Sequence, residues 1–390
     1  MARILLTLPP LIGHLNPLLA VAAELAAAGH ELAWALHTRQ LGASLPDGAR
    51  VFSLDAGDQI TTVVLPKVRG LESVRLFFED YALPMAEQSL PLIEQAARRF
   101  KPDVMVVDHQ MIAGALVARK LGIAWLTSIT TSASILRMSP MLDDWVAGQY
   151  ADLQQRYLGN DTAIVRVDRP DFSPWLNLVF SIEELLGNVH ARIDAPYTFL
   201  GPASGQGRRD IAFPWSWLRD DCQRILVTLG TVSRDRDSRF FEVMMAAIAD
   251  IPAVQAVIVG PSSLQASAPD NVLVCDFVPQ MALLKKMHGV ICHAGHNTVC
   301  ETLMHDLPMI VAPIRDDQPV IARQVIDAGA GLFMRHGKVT IATAKTTIEA
   351  LLKTPALHHH AQRLGSALRA SAGAAGAAGH IAAIADAARA

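Results

Sequence analysis

The 390-residue sequence has no excess of either charge: 34 Lys and Arg stand against 37 Asp and Glu, a formal net charge of -3. A chain so balanced carries no electrostatic footprint for nucleic acid. Cysteine is scarce. Cys222, Cys275, Cys292 and Cys300 form no Cys-x-x-Cys pair and no zinc spacing. Three of them lie in apolar runs, which predicts buried thiols in a reducing cytoplasm. No hydrophobic run is long enough to span a bilayer without interruption. The N-terminus, MARILLTLPPLIGHLNPLLA, is apolar but has one basic residue, a Pro-Pro break and a polar Gly-His-Leu-Asn-Pro where a signal peptide keeps its apolar core. It is therefore read as part of the fold. Nor does Gly-x-Gly-x-x-Gly follow the first apolar run, which sets aside a dinucleotide oxidoreductase; the glycine-rich GAAGAAGH lies near the C-terminus.

Apolar residues are plentiful: 51% of the chain is hydrophobic and 18% charged, enough for two cores. Residues 3–8 read as a buried parallel strand, followed by a loop, PPLIGHLNP, and a helix opened by Pro17 and closed by Gly29. HELAWAL, PDVMVVD and IAWLTSI are further strands, with AGALVARKLG a helix between the last two. Residues 201–223 turn rich in Gly, Pro, Trp and charge. A second alternation follows: RILVTLGT, FFEVMMAAIAD, VQAVIVG, NVLVCDFVPQ, GVICHAG, PMIVAPI. The pattern predicts an α/β chain of two Rossmann-like domains facing each other across a cleft. The expected boundaries are 1–205, a linker at 206–222, a second domain at 223–372, and an Ala-rich helix at 373–390 that packs back on a domain.

VICHAGHNTVCETL, residues 290–303, places His293, Gly295, His296, Asn297, Thr298 and Glu301 between apolar ends. Polar groups at a buried sheet edge are costly unless something pairs with them. GVIC reads as a strand and NTVCETLMHDLP as a helix stopped by Pro308, so the polar residues fall at the carboxyl edge of the sheet, where open α/β folds bind ligands. The helix start offers free N–H groups and partial positive charge to a diphosphate. A helix capped by Asn beside a satisfied histidine is the plainer reading. Downstream, Asp317-Gln318 follows another strand and can hold sugar hydroxyls; upstream, Phe277 can stack on a base and Gln280 make a polar contact.

These positions together resemble the donor signature of the family 1 glycosyltransferases, the UDP-glycosyltransferase superfamily of GT-B fold. The matching residues are Phe277-Val278-Pro279-Gln280, His293 to Thr298, Glu301, Pro308 and Asp317-Gln318. The resemblance implies an aromatic on the nucleobase, His293, Asn297 and Thr298 on the diphosphate, Glu301 on the ribose, and Asp317 and Gln318 on the donor sugar. Thr231, in VTLGTV, matches the family's Gly-Ser/Thr loop facing the donor. Departures are Phe277 where Trp is common, His296 where its backbone N–H rather than its ring is expected to matter, and His-Asp-Leu-Pro in place of Gly-Val-Pro.

In the first half, His14 follows the first strand and Asp108 ends the strand VMVVD, both at the carboxyl edge. A histidine suits proton abstraction near neutral pH and needs an orienting partner on its other nitrogen. A loop histidine and an N-capping aspartate are the plainer readings. The resemblance implies that His14 is the base and Asp108 its partner. It also implies a single inverting displacement in which a diphosphate leaves toward the helix N-terminus, with no metal and no cofactor beyond the UDP-sugar co-substrate. UDP-glucose is the expected donor, because Glu301 suits both hydroxyls of a ribose and Asp317-Gln318 an oxygenated hexose. A TDP-sugar, a lipid-linked acceptor, or a non-catalytic helper of the same fold are the alternatives. Asp235-Arg236-Asp237, a possible manganese motif, reads as a helix cap. His358, His359 and His360 read as a polar stretch between two helices. VRLFFEDYALPM, ILRMSPMLDDW and FSPWLNLVF predict a hydrophobic small-molecule acceptor.

Overall fold

The computed structural model describes residues 1–55, 71–137, 139–159, 166–187, 192–203, 211–230 and 238–389. The chain divides into two compact units, one of Met1–Ser181, Val189–Gln206 and Ala372–Ala390, the other of Ile182–Asn188 and Gly207–Ser371. Among the described residues no helix is long and apolar enough to cross a membrane.

The first unit is built on a seven-stranded sheet of order β3-β2-β1-β4-β5-β6-β7, every pairing parallel. Its strands are β1 (Arg3–Thr7), β2 (Glu31–Leu36), β3 (Val51–Ser53), β4 (Val104–Asp108), β5 (Ala124–Ile129), β6 (Leu176–Val179) and β7 (Tyr197–Phe199). Both faces of the central strands are covered, which is why β1 and β4 read as largely apolar runs. Alternate residues of each strand enter opposite cores. Leu5, Ala33, Ala35, Met105 and Val107 join one face with α2 (Leu83–Phe100), α3 (Ile112–Leu121) and α4 (Pro140–Leu158). Ile4, Leu6, Trp34, Leu36, Val104 and Val106 join the other with α1 (Ile12–Ala27).

The helix expected to open at Pro17 begins earlier, at Ile12. Leu11 supplies its first carbonyl, accepting from the N–H groups of His14 (3.0 Å) and Leu15 (3.1 Å). Pro17 sits inside the helix, where its missing N–H costs one bond close to the helix start. His14 therefore stands on the first helical turn, a firmer mount than a loop. Gly29, at φ +81°, donates to Ala26 and ends the segment.

The second unit holds six parallel strands in the order β10-β9-β8-β11-β12-β13. They are β8 (Gln223–Thr228), β9 (Val254–Val259), β10 (Val272–Cys275), β11 (Gly289–Cys292), β12 (Met309–Val311) and β13 (Gly331–Phe333). One face packs on α5 (Ser238–Ala249) and α8 (Ile341–Lys353); α6 (His296–Met304) and α7 (Gln318–Asp327) follow β11 and β12, and α9 (Pro355–Ala370) packs on α6. His358, His359 and His360 lie within α9, not between helices: Pro355 at the first helical position starts the helix before them. The last helix, α10 (Gly373–Arg389), belongs to the first unit and packs on α1 through Ala377, Ala378, Ile381 and Ala385. Small residues let the two backbones approach, which accounts for its alanine-rich composition.

The helix after β11 stops at Met304, short of Pro308. Asp306 takes a left-handed conformation (φ 60°), donating to Leu303, while Leu307 donates to Thr302; this is a Schellman stop with Asp at the position glycine usually takes. Arg369 from α9 bonds the Asp306 carboxylate (2.8 Å) and the Met304 carbonyl (2.6 Å), holding the strained turn.

Candidate active site

In each sheet the strand order reverses between two neighbours, β1 and β4 in the first unit, β8 and β11 in the second. Connections diverge at such a point and leave a crevice at the carboxyl edge. His14 and Asp108 stand at the first reversal and His293 to Glu301 at the second, while Phe277 to Gln280 follow the edge strand β10 and Asp317-Gln318 follow β12.

At the first, Thr7 of β1 lies beside Val107 of β4, so the residues after each strand meet. His14 Nδ1 is 2.9 Å from Asp108 Oδ2 and 3.1 Å from Thr130 Oγ1. Asp108 is fully buried; its other oxygen accepts from the backbone of Gln110 at 2.9 Å. That is a turn contact rather than a helix cap, since α3 starts only at Ile112. Burial alone would raise the Asp108 carboxyl, but the imidazoles of His14 and His109 and its hydrogen bonds hold it below the ordinary carboxylate range. Asp108 is thus an anion with no exposure to water, and the His14 ring stands at hydrogen-bonding distance from it. Sequence reasoning missed His109, which follows Asp108 in the chain and whose ring lies 5.6 Å from that of His14. It also missed Thr130, directly after β5; a hydroxyl ending an apolar strand was the available signal. Among the described residues His14, Asp108 and His109 form the one group of nitrogen and carboxylate atoms close enough to hold a metal ion.

Beside this pair, on the same unit, residues Phe77–Ala82 form a widened helical turn, a local form often found at functional sites. It presents Phe77, Phe78 and Tyr81. Phe78 meets Trp145 edge-on at 5.7 Å, and Phe77 lies 5.6 Å from Tyr81. The Tyr81 hydroxyl is buried with no hydrogen-bond partner, and burial, with Asp108 nearby, raises its pKa.

At the second reversal, Cys292 of β11 lies beside Thr228 of β8. The turn Ala294-Gly295 is tight: Ala294 is fully buried at φ 65°, an uncommon conformation for a residue with a Cβ. Gly295, not Asn, occupies the N-cap of α6, and it has no side chain to cap the helix. The first N–H groups of a helix have no partner within it, and here they face the turn. His293 is enclosed there by two glycines: a Cβ on Gly295 would lie 2.6 Å from its Nε2, and one on Gly230 2.7 Å from its Cε1. Burial pushes the His293 imidazole down to about 4, against the pull of Asp317 and a backbone hydrogen bond with Thr228. The ring is therefore neutral at physiological pH, and its buried Nδ1 has no hydrogen-bond partner. The sequence leads to the expectation of a diphosphate donor at this position; the buried ring found there carries no charge.

Glu301 is buried, and Gln280 donates to its Oε2 at 2.5 Å. Gln318 is buried too, and its amide oxygen accepts from the backbone of Ile314 (2.9 Å) and Arg315 (3.1 Å), shaping the loop after β12. Asp317 occupies the N-cap position of α7 without a capping bond from its side chain. Phe277 is 59% exposed at the end of β10, while Val278 is buried. The His296 ring is buried against Cys300, with Nε2 3.5 Å from Sγ; Asn297 and Thr298 begin the helix beside it. Thr231, Asp235 and Asp237 lie outside the described residues.

The His293 shift has a consequence for stability. Well above the ordinary histidine value of 6.5 the ring is neutral both folded and unfolded, and its contribution is complete. Below it the unfolded chain takes a proton that the folded ring refuses, so stability falls as the pH drops toward 4. The loss attributable to this ring is at most about 3 kcal/mol. Urea unfolding at pH 7 and pH 5 should show a smaller drop for His293→Asn than for the wild type; equal drops would refute the buried neutral ring.

Residues 242–383 match the family described as Erythromycin biosynthesis protein CIII-like, C-terminal domain. The chain is 26% identical to 4'-demethylrebeccamycin synthase of Lentzea aerocolonigenes, over 93% of this chain and 94% of that protein. It is 26% identical to demethyllactenocin mycarosyltransferase of Streptomyces fradiae, over 96% of this chain and 84% of that one. Among solved structures, the kitacinnamycin glycotransferase superposes with a TM-score of 0.78 at 24% identity, covering 98% and 99% of the two chains. Glycosyltransferase VinC in complex with dTDP superposes at 0.76 and 20% identity, with the same coverage. With two parallel sheets flanked by helices and a full-length likeness to these enzymes, the chain is a glycosyltransferase of the GT-B class, related to bacterial natural-product glycosyltransferases.

Proposed function

We propose that this glycosyltransferase moves a sugar from a thymidine diphosphate donor to a hydroxyl of a hydrophobic acceptor, with inversion and without a metal. The observation that carries the reading is the His14–Asp108 pair, 2.9 Å apart, with the carboxylate wholly buried. Asp108 accepts the Nδ1 proton of His14, which leaves Nε2 to take the acceptor's proton while the oxygen attacks the anomeric carbon. The developing imidazolium is matched by the Asp108 anion. The leaving diphosphate is met in the second unit by the start of α6, by His293 and by Asn297 and Thr298, a set of donors that needs no cation.

UDP-glucose, the donor expected from the motif, fits less well than a thymidine nucleotide. Gln280 already holds one oxygen of Glu301, so a carboxylate gripping both hydroxyls of a ribose would have to share or break that bond. The Gln318 oxygen is engaged by its own loop, which leaves its amide N–H groups for the sugar and suits a hexose with fewer hydroxyls. VinC, a structural neighbour, binds dTDP. For the acceptor, Phe77, Tyr81 and Trp145 offer an aromatic wall in the unit that holds His14.

A screen of TDP- and UDP-sugars against phenolic and alcoholic acceptors, read by mass, tests the reading. Higher kcat/KM with TDP-sugars is expected, and turnover should survive exhaustive chelation. A clear preference for UDP-glucose would restore that donor. Activity abolished by EDTA and restored by manganese would turn attention to Asp235 and Asp237.

A further inference from the structure

The base reading leaves His109 without a task, yet both of its ring nitrogens face named partners. The Ser134 hydroxyl lies 2.9 Å from Nε2. If that hydroxyl donates, the His109 proton belongs on Nδ1. That nitrogen faces the Ser128 carbonyl at 3.4 Å and Asp108 Oδ1 at 3.6 Å. Burial lowers the His109 pKa against the pull of Asp108, so the ring is neutral at working pH. It directs a dipole at the carboxylate without adding a second cation beside the imidazolium that forms on His14. Its face lies along the His14 ring, centroids 5.6 Å apart and planes 29° from parallel. One strand connection serves both histidines: after β5, Thr130 reaches His14 and Ser134 reaches His109.

We propose that His109, held by Ser134 and the Ser128 carbonyl, is a positioning residue that fixes the Asp108 carboxylate and the His14 ring so that Nε2 of His14 faces the acceptor. The proposal rests on the base reading above and deepens it. His109 touches neither donor nor acceptor; it acts through the pair. Without it, one oxygen of Asp108 loses a flanking dipole and one face of the His14 ring loses its wall, so the ring can turn and exchange tautomers.

The test uses the full chain labelled with ¹⁵N-histidine, together with kinetics on one alcohol and one phenol drawn from the acceptor screen. In the wild type His14 should be a single Nδ1–H tautomer. In His109→Leu it should become a mixture, with kcat on the alcohol down about 10–100-fold, the range seen when an outer-shell partner of a working histidine is lost. The phenol should suffer less and dTDP affinity should not change. His109→Asn, which returns a donor near the Nδ1 position, should recover much of the alcohol rate. An unchanged His14 tautomer with wild-type alcohol turnover in His109→Leu overturns the proposal. So do equal losses on both acceptors that track a fall in Tm. If His109→Leu does not fold, Ser134→Ala decides by the same two readouts. Full turnover by His14→Ala would overturn the base reading alone, since the tautomer signal does not depend on catalysis.

Discussion

Alanine in place of His14 should leave the protein able to bind dTDP and almost unable to glycosylate an alcohol. The two capacities separate because His14 belongs to the first unit, while the proposed diphosphate donors His293, Asn297 and Thr298 belong to the second. Loss of a general base typically costs 10²–10⁴ in rate. A phenol, already partly ionised near neutral pH, should lose less than an alcohol, whose proton has no other acceptor in the pair. The carboxylate adds a further penalty: Asp108 is 0% exposed and 2.9 Å from His14 Nδ1, so the truncation removes its closest counter-group. A modest fall in Tm should accompany the kinetic loss. Calorimetry with dTDP beside product formation on both acceptor classes checks the expectation. Alcohol turnover near the wild-type rate would end the assignment of His14 as the base and leave Gly-His-Leu-Asn-Pro as an ordinary strand-to-helix passage.

Much of this arrangement is written locally. GVIC is a strand at its expected place, Gly289–Cys292, because four buried apolar residues precede a small-residue turn. Such runs mark buried parallel strands wherever they are long, and β1, β4, β5, β8 and β9 were all legible. The short strands β3, β6 and β7 were not. Each has three or four residues, and Leu176–Val179 is interrupted by Asn177, whose amide donates to the carbonyls of Ser173 and Pro196. Length alone does not separate them, since β11 also has four residues; unlike it, none of the three is buried along its whole length. The start of α1 was misplaced because Pro17 is a strong local signal for a first turn. A carbonyl at Leu11, free to accept two N–H groups, outweighed it. His109 was invisible for another reason. A histidine beside an aspartate is unremarkable in sequence, and its significance lies in Ser134, twenty-five residues away, which parallel pairing of β4 with β5 brings to its ring.

The glycines around His293 give the other large effect. Gly295→Ala should weaken dTDP binding about 10–100-fold, the equivalent of losing a hydrogen bond to a charged group, about 1.5–3 kcal/mol. The backbone is not the obstacle, since Gly295 has φ -65°, a value alanine adopts freely. The obstacle is the ring: the new Cβ would lie 2.6 Å from His293 Nε2 and 2.7 Å from Cε1. The imidazole cannot simply shift, because Gly230 borders it within 2.7 Å of where its own Cβ would stand. Either the ring leaves its slot or the start of α6 moves, and both disturb the proposed diphosphate contact. A double-mutant cycle separates this from a general loss of packing. In a His293→Ala background the ring is gone, the clash is gone with it, and adding Gly295→Ala should cost little more. Wild-type dTDP affinity in Gly295→Ala, or the same penalty with and without the His293 ring, would show that the two glycines are not there to seat it.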